Sequence, residues 1–199
     1  MSKTYDRQYF DRWYRSARAV VRDDVVQRKA RLALAAAEHL LGREVHTVLD
    51  VGCGEAPWRG ILRRMRPELE YTGVDPSEYA VHRYGRTRNI IQGTLLELDE
   101  LYLDRDYDLV VCSDVLQYLP NDDVREGLRL LARRTAGVAY IEAFTAGDDM
   151  VGDREDWHMR SAEWYRRAFR LAGLVPVGLY LFIGPRLYPT TNELERCGS

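Results

Sequence analysis

The chain has 199 residues, 46% of them hydrophobic and 30% charged, with a formal net charge of -2. That length suits one domain with a substantial core, and that composition suits a soluble globular protein. The near-neutral balance gives no general attraction for nucleic acid or an anionic membrane, so neither is expected as a partner.

The three cysteines, Cys53, Cys112 and Cys197, form no CxxC pair. A disulfide framework or a metal site is therefore not expected. Met1 to Asp11 is polar and charged, unlike a leader peptide, and no apolar run is long enough to span a bilayer. A reducing, cytoplasmic setting follows as the expectation.

From the N-terminus, Tyr5 to Arg22 mixes aromatics with Arg and Asp. Tyr9, Trp13 and Tyr5 lie near helical spacing. This stretch reads either as a helix packed on the domain or as an aromatic lid over a pocket. Asp23 and Asp24 are placed to cap a helix that runs to about Leu41 and stops at Gly42. Val25, Val26, Leu32, Ala33, Ala36, Ala37 and Leu40 form its expected inner side. The organisation expected is an N-terminal helical segment, 1–42, followed by the main domain, 43–199.

Strands and helices then alternate. His46 to Val51 is the first strand. Gly52 and Gly54 form a tight turn, and Trp58 to Arg66 is helical. Tyr71 to Val74 is a strand ending at Asp75, followed by a helix from Pro76 to Tyr84 with Gly85 as terminator. Arg88 to Gln92 is a short strand, and a weak helix falls within Leu95 to Leu103. Tyr107 to Cys112 is apolar enough for the centre of a parallel sheet. Asn121 is placed to cap a helix to Arg134, and Gly137 to Ala143 is a strand. Ser161 begins a helix to Ala172, Val175 to Ile183 reads as one long strand, and Arg186 to Leu194 as a returning antiparallel edge. This alternation predicts an α/β, doubly wound, mostly parallel seven-stranded sheet with an antiparallel last strand, flanked by helices, with the N-terminal helical lid over it. Ligands of such sheets bind beyond the carboxyl ends of the strands, where the acids and glycines fall.

Two ligands compete for the glycine turn. A dinucleotide fingerprint wants a small residue at position 57, which is Pro57 here. Asp50-Val51-Gly52-Cys53-Gly54-Glu55-Ala56 instead resembles the first motif of class I, Rossmann-like S-adenosylmethionine-dependent methyltransferases of the small-molecule branch. Tyr71-Thr72-Gly73-Val74-Asp75-Pro76-Ser77 looks like the second motif, and Tyr107 to Leu119, with Ser113-Asp114, like the fourth-strand motif. The resemblance spans roughly residues 45 to 183. It departs from the family pattern at Ala56, where a third glycine is usual, and at Gly93-Thr94, where Gly-Asp is common.

The resemblance implies S-adenosylmethionine as cofactor, held by Asp50, Gly52, Cys53, Gly54, Asp75, Pro76, Thr94, Ser113 and Asp114. The chemistry supports several of these independently. A ribose diol wants a carboxylate acceptor, which Asp75 can supply. A sulfonium and an ammonium favour acids such as Asp50. The displacement is in-line, so alignment matters more than a base. Substrate-side candidates are Tyr9, Trp13, Tyr14, Glu142 and Trp157, with His158 or Tyr118 as possible catalytic groups. Thr145 to Asp156 reads as an acidic, mobile flap.

The chain carries neither an Asp/Asn-Pro-Pro-Tyr/Phe motif nor a Pro-Cys nucleophile, and no dense basic stripe. A small-molecule acceptor, a metabolite or natural product, is therefore expected, with the protein a monomer or homodimer. The competing readings are a non-catalytic methyltransferase-fold module acting as a partner subunit, and a nucleotide-dependent oxidoreductase.

Overall fold

The computed structural model describes residues 5–15, 22–149, 153 and 155–197. Part of the Tyr5 to Arg22 expectation and part of the expected flap lie outside the described residues. Seven strands form one sheet: β1 (Thr47–Val51), β2 (Glu70–Asp75), β3 (Ile90–Gln92), β4 (Tyr107–Ser113), β5 (Thr135–Glu142), β6 (Val175–Gly178) and β7 (Leu181–Ile183). Their order is β3-β2-β1-β4-β5-β7-β6. The first five run parallel. The last, β7, runs antiparallel to β5, with Val138 opposite Ile183 and Tyr140 opposite Leu181. The expected doubly wound, mostly parallel sheet with an antiparallel last strand is what the chain forms.

The helices are α1 (Arg7–Phe10), α2 (Asp23–Leu41), α3 (Pro57–Met65), α4 (Glu78–Arg88), α5 (Asn121–Arg134) and α6 (Ala162–Leu171). The pleat divides the core between two faces. On β4, Leu109 and Val111 pack with Ala30, Ala33 and Ala37 of α2 and Trp58 and Leu62 of α3. Val110 and Cys112 pack on the other face with Leu128 and Leu131 of α5 and Tyr165 and Phe169 of α6. At the amino end of β4, Asp108 accepts from Arg43 Nη2 at 2.6 Å and from the His46 N–H at 2.8 Å, pinning β4 beside β1. Burial pushes its carboxyl up, but Arg43 and the two neighbouring N–H groups outweigh that and hold it below the usual range.

Several boundaries differ from expectation. Val175 to Ile183 is a hairpin of β6 and β7, not one strand. It turns on Leu179 (φ 54) and Tyr180 (φ 66), both left-handed, as a two-residue hairpin turn requires. Arg186 to Leu194 is not a strand but holds two single 3-10 turns, Tyr188–Thr190 and Glu193–Glu195. Pro189 cannot donate to a ladder. Helix α4 runs through Gly85 and stops at Asn89, which is left-handed. On α2, Leu32 is exposed, and Leu34 takes the inner position that the 26, 30, 33, 34, 37 spacing demands. Asp23 and Asp24 sit in the first turn of α2, favouring its dipole without capping it. Pro120, not Asn121, occupies the cap position of α5.

Candidate active site

The strand order reverses between β1 and β4, because β1 pairs with β2 on one side and β4 on the other. A crevice must open there, beyond the carboxyl ends. It is a cavity of about 560 Å³, within the range typical of small-molecule sites. Every predicted cofactor-side residue lines it: Asp50, Gly52, Cys53, Gly54, Asp75, Pro76, Thr94, Ser113 and Asp114. So do Tyr9, Trp13, Tyr14, Tyr118 and Glu142.

The glycine turn is shaped by backbone geometry. Gly54 has φ +54, and a Cβ built on it would fall 2.3 Å from the Tyr14 hydroxyl oxygen. Gly52 has φ +71. Ala56, which stands where the family pattern has a third glycine, also adopts φ 55. The turn therefore keeps the glycine conformation there despite the Cβ. Pro57 then opens α3, where no N–H is needed.

Asp75 closes this turn. Its Oδ2 accepts the Gly54 N–H at 2.6 Å and its Oδ1 the Ser77 N–H at 2.9 Å. Burial pushes its pKa up, opposed by those two hydrogen bonds. Each carboxylate oxygen retains acceptor capacity, so a diol can share the group with the backbone. Ser77 in turn caps α4 through the Ala80 N–H at 3.1 Å.

Asp50 is buried and accepts the Tyr71 hydroxyl at 2.6 Å. Burial pushes its carboxyl up to about 7, against the Tyr71 hydrogen bond and with a further rise from Asp75. A raised carboxyl pKa means that the folded protein holds a proton the unfolded chain releases. Asp50 therefore withdraws stability as pH climbs from about 4, its unfolded value, to about 7. The stability of Asp50→Asn relative to wild type should rise across that window and level off above it. Denaturant melts at half-unit pH steps measure this, and a pH-independent difference would contradict the assignment.

The N-terminal segment lies on the glycine turn. Phe10 is buried, 4.9 Å from Tyr14 and 5.5 Å from Tyr79 between ring centroids. The Tyr5 carbonyl accepts from Ser77 Oγ at 2.6 Å, and Arg15 pairs with Glu55. Burial and then the Asp75 carboxylate push the Tyr14 phenol well up. Thr94 is exposed, and its N–H donates to Glu97 Oε2 at 2.7 Å in a reciprocal capping box.

Two expected groups fall elsewhere. His158 is exposed and outside the cavity wall, and its backbone N–H, not its ring, bonds the Gln117 carbonyl at 2.8 Å. Trp157 is half-buried but also does not line the cavity. Tyr118 does line the cavity, and its hydroxyl donates to the Asp153 carbonyl at 2.9 Å. Burial, then Asp114, raises its phenol. Of the expected flap acids, Asp153 lines the cavity, whereas Asp148 is exposed and accepts the Thr145 N–H at 2.7 Å.

The sequence reading missed two groups. Lys29 of α2 donates to Glu142 Oε2 at 2.6 Å, the oxygen that also takes the Ser113 hydroxyl at 2.6 Å. A lysine three and four residues after Val26 and Val25, on the inner face, was the available signal. Arg160 is buried and donates to Asn121 Oδ1 at 2.7 Å, to the Leu116 carbonyl at 3.1 Å, and to the Leu119 carbonyl. It holds the chain after β4, including Tyr118, against α5.

The donor set fits an adenosyl sulfonium ligand. The Asp75 carboxylate, with acceptor capacity to spare, sits beside a turn whose glycines leave room for close approach, and acids line the same cavity. Residues 18–174 match the family described as a methyltransferase domain. No curated protein matches the chain. Among solved structures, a SAM-dependent methyltransferase from Archaeoglobus fulgidus is similar at 18% identity and TM-score 0.63, over 84% of this chain and 73% of that one. The magnesium protoporphyrin IX methyltransferase from Synechocystis, with bound SAH, is 19% identical with TM-score 0.59, over 90% and 94%. An O-methyltransferase family protein from Burkholderia thailandensis is 20% identical with TM-score 0.58, over 82% of this chain. The chain spans only 58% of that protein's length. At these identities the structures establish a shared fold, while the family match covers most of the sequence. The chain belongs to the methyltransferase-domain family.

Proposed function

We propose that the chain is an S-adenosylmethionine-dependent methyltransferase acting on a small-molecule acceptor. The observation that carries this reading is Asp75, buried at the end of β2 and bonded to the Gly54 N–H of the glycine turn. That juxtaposition offers a diol acceptor and a close backbone approach within one cavity. In this reading Gly52, Cys53 and Gly54 form the floor under the cofactor, with Pro76 and Thr94 along its adenosine side. Asp50 supports the turn through Tyr71, and Ser113 and Asp114 border the methionine end. The described residues of the N-terminal helical segment cap the main domain.

When bound, S-adenosylmethionine supplies an activated methyl; as the acceptor's lone pair forms the new bond to carbon, the sulfur–methyl electron pair stays on sulfur. The protein's part is to hold the acceptor in line and keep water out. Tyr9, Trp13 and Tyr14 form the apolar cover for that purpose. Tyr118 donates its one O–H to the Asp153 carbonyl and so presents its phenol oxygen as an acceptor at the acceptor side. Neither it nor His158 is assigned as a base, and an acceptor that arrives ionised needs none.

The test is transfer of label from methyl-tritiated S-adenosylmethionine to a panel of phenols, carboxylic acids, amines and thiols. Label appearing in one class supports the reading and names the accepting atom. Cofactor binding with no transfer across the panel would favour the non-catalytic module.

A further inference from the structure

We propose that Lys29 is the acceptor-anchoring cation of the site, and that the acceptor is an apolar, ring-bearing molecule carrying an anionic oxygen, a carboxylate or an acidic phenol. The inference rests on the methyltransferase reading above and goes on to name the acceptor's chemistry. Lys29 is the one cationic side chain lining the cavity among the described residues, where the acids are Asp50, Asp75, Asp114, Glu142 and Asp153. An isolated ammonium among apolar walls is costly unless paired. Here Glu142, itself buried, pairs it at 2.6 Å. An ammonium has three N–H donors, and Glu142 is the one hydrogen-bond acceptor Lys29 meets among the described residues. Donor capacity therefore remains inside the cavity.

Position separates this cation from the cofactor. Asp75 ends β2 and Glu142 ends β5, with β1 and β4 between them. At about 4.8 Å per strand, the two carboxylates stand on lines about 14 Å apart across the sheet. A ribose at Asp75 puts the sulfonium over the β1–β4 crevice, and Lys29 beyond it. The neighbouring walls suit a ring: Val25 and Val26 share the cavity face of α2 with Lys29, and Phe144 follows β5. Glu142 is a positioning residue. With Ser113, which bonds the same carboxylate, it holds the ammonium in place, and the Lys29–Glu142 pair carries no net charge until an anion enters.

The test uses calorimetry on the protein loaded with S-adenosylhomocysteine, with 2-naphthoate, 2-naphthamide and 2-naphthylmethylammonium as probes. The three share a ring and differ in charge. Naphthoate should bind at least tenfold more tightly than the amide, and the ammonium should be weakest. Lys29→Met should remove the naphthoate preference while changing affinity for S-adenosylhomocysteine less than twofold. Lys29→Arg should keep the preference. Equal binding of naphthoate and amide by the wild type, no naphthoate binding, or preference for the ammonium overturns the proposal. So does a Lys29→Met variant that loses S-adenosylhomocysteine instead, since Lys29 would then serve the cofactor's own carboxylate. If Lys29→Met does not fold, the wild-type probe ratio and Lys29→Arg decide. A wild type that fails to bind S-adenosylhomocysteine sinks the methyltransferase reading instead, and the naphthoate ratio is then read on the free protein.

Discussion

Asp75→Ala is expected to weaken S-adenosylhomocysteine binding by about 1.5–3 kcal/mol, the range for hydrogen bonds to a charged group, or roughly ten- to a hundredfold. The carboxylate serves two masters, and both are lost together. Towards the ligand it is the proposed diol acceptor. Towards the protein it receives the Gly54 and Ser77 N–H groups at 2.6 and 2.9 Å. Removing it orphans buried donors in the turn, so the unliganded variant should also melt lower. Asp75→Asn is no rescue. Its amide oxygen can take one of the two N–H groups, but its NH₂ then faces the other, donor against donor. Calorimetry on both variants checks this. An Asn variant that binds like wild type would show that the backbone, not the charge, sets affinity.

Arg160→Met is expected to be the most destabilising single substitution outside the hydrophobic core. Arg160 is 5% exposed, and its guanidinium meets Asn121 Oδ1, the Leu116 and Leu119 carbonyls and the Tyr165 hydroxyl. Its centre also lies 4.8 Å from the Trp164 ring centroid. Methionine fills much of the volume but leaves these acceptors without their donor. A buried acceptor left unpaired costs about 1–3 kcal/mol, so a total of about 3 kcal/mol is a modest expectation. For a chain of this size, that corresponds to a fall in Tm of about 6–12 °C. Arg160→Lys should recover little, because a point-charge ammonium cannot reproduce the planar fork. Thermal denaturation of the two variants is the check. The segment Arg160 holds carries Tyr118, so acceptor binding should weaken more than cofactor binding in any variant that still folds.

What the sequence revealed followed its strongest local rules. The apolar runs ending in Asp50, Asp75 and Ser113 became β1, β2 and β4, because a parallel strand buried on both faces must be apolar throughout. The glycine turn was legible because Gly52 and Gly54 are needed for their positive φ. The β6–β7 hairpin was hidden because its turn uses Leu179 and Tyr180 in conformations that usually go to Asn or Gly. Tertiary pairing with β5 overrode local preference there. Among the site residues, chemistry placed on strand ends was readable, since the sheet order fixes where those ends meet. His158 does not line the cavity, because a residue's type says nothing about where a loop directs its side chain. Lys29 and Arg160 lie 113 and 39 residues from Glu142 and Asn121, their partners. No local pattern announces such a contact, although a lysine on the inner face of α2 and an arginine just before the Ser161 cap were both anomalies of position.

The most direct measurement of the central claim is calorimetric titration of the purified chain with S-adenosylhomocysteine and, separately, with NAD. The account predicts saturable binding of S-adenosylhomocysteine at one site per chain, abolished or strongly weakened in Asp75→Ala, and no binding of NAD. Binding of NAD with none of the adenosyl compound would contradict it and return the glycine turn to the dinucleotide reading that Pro57 disfavours.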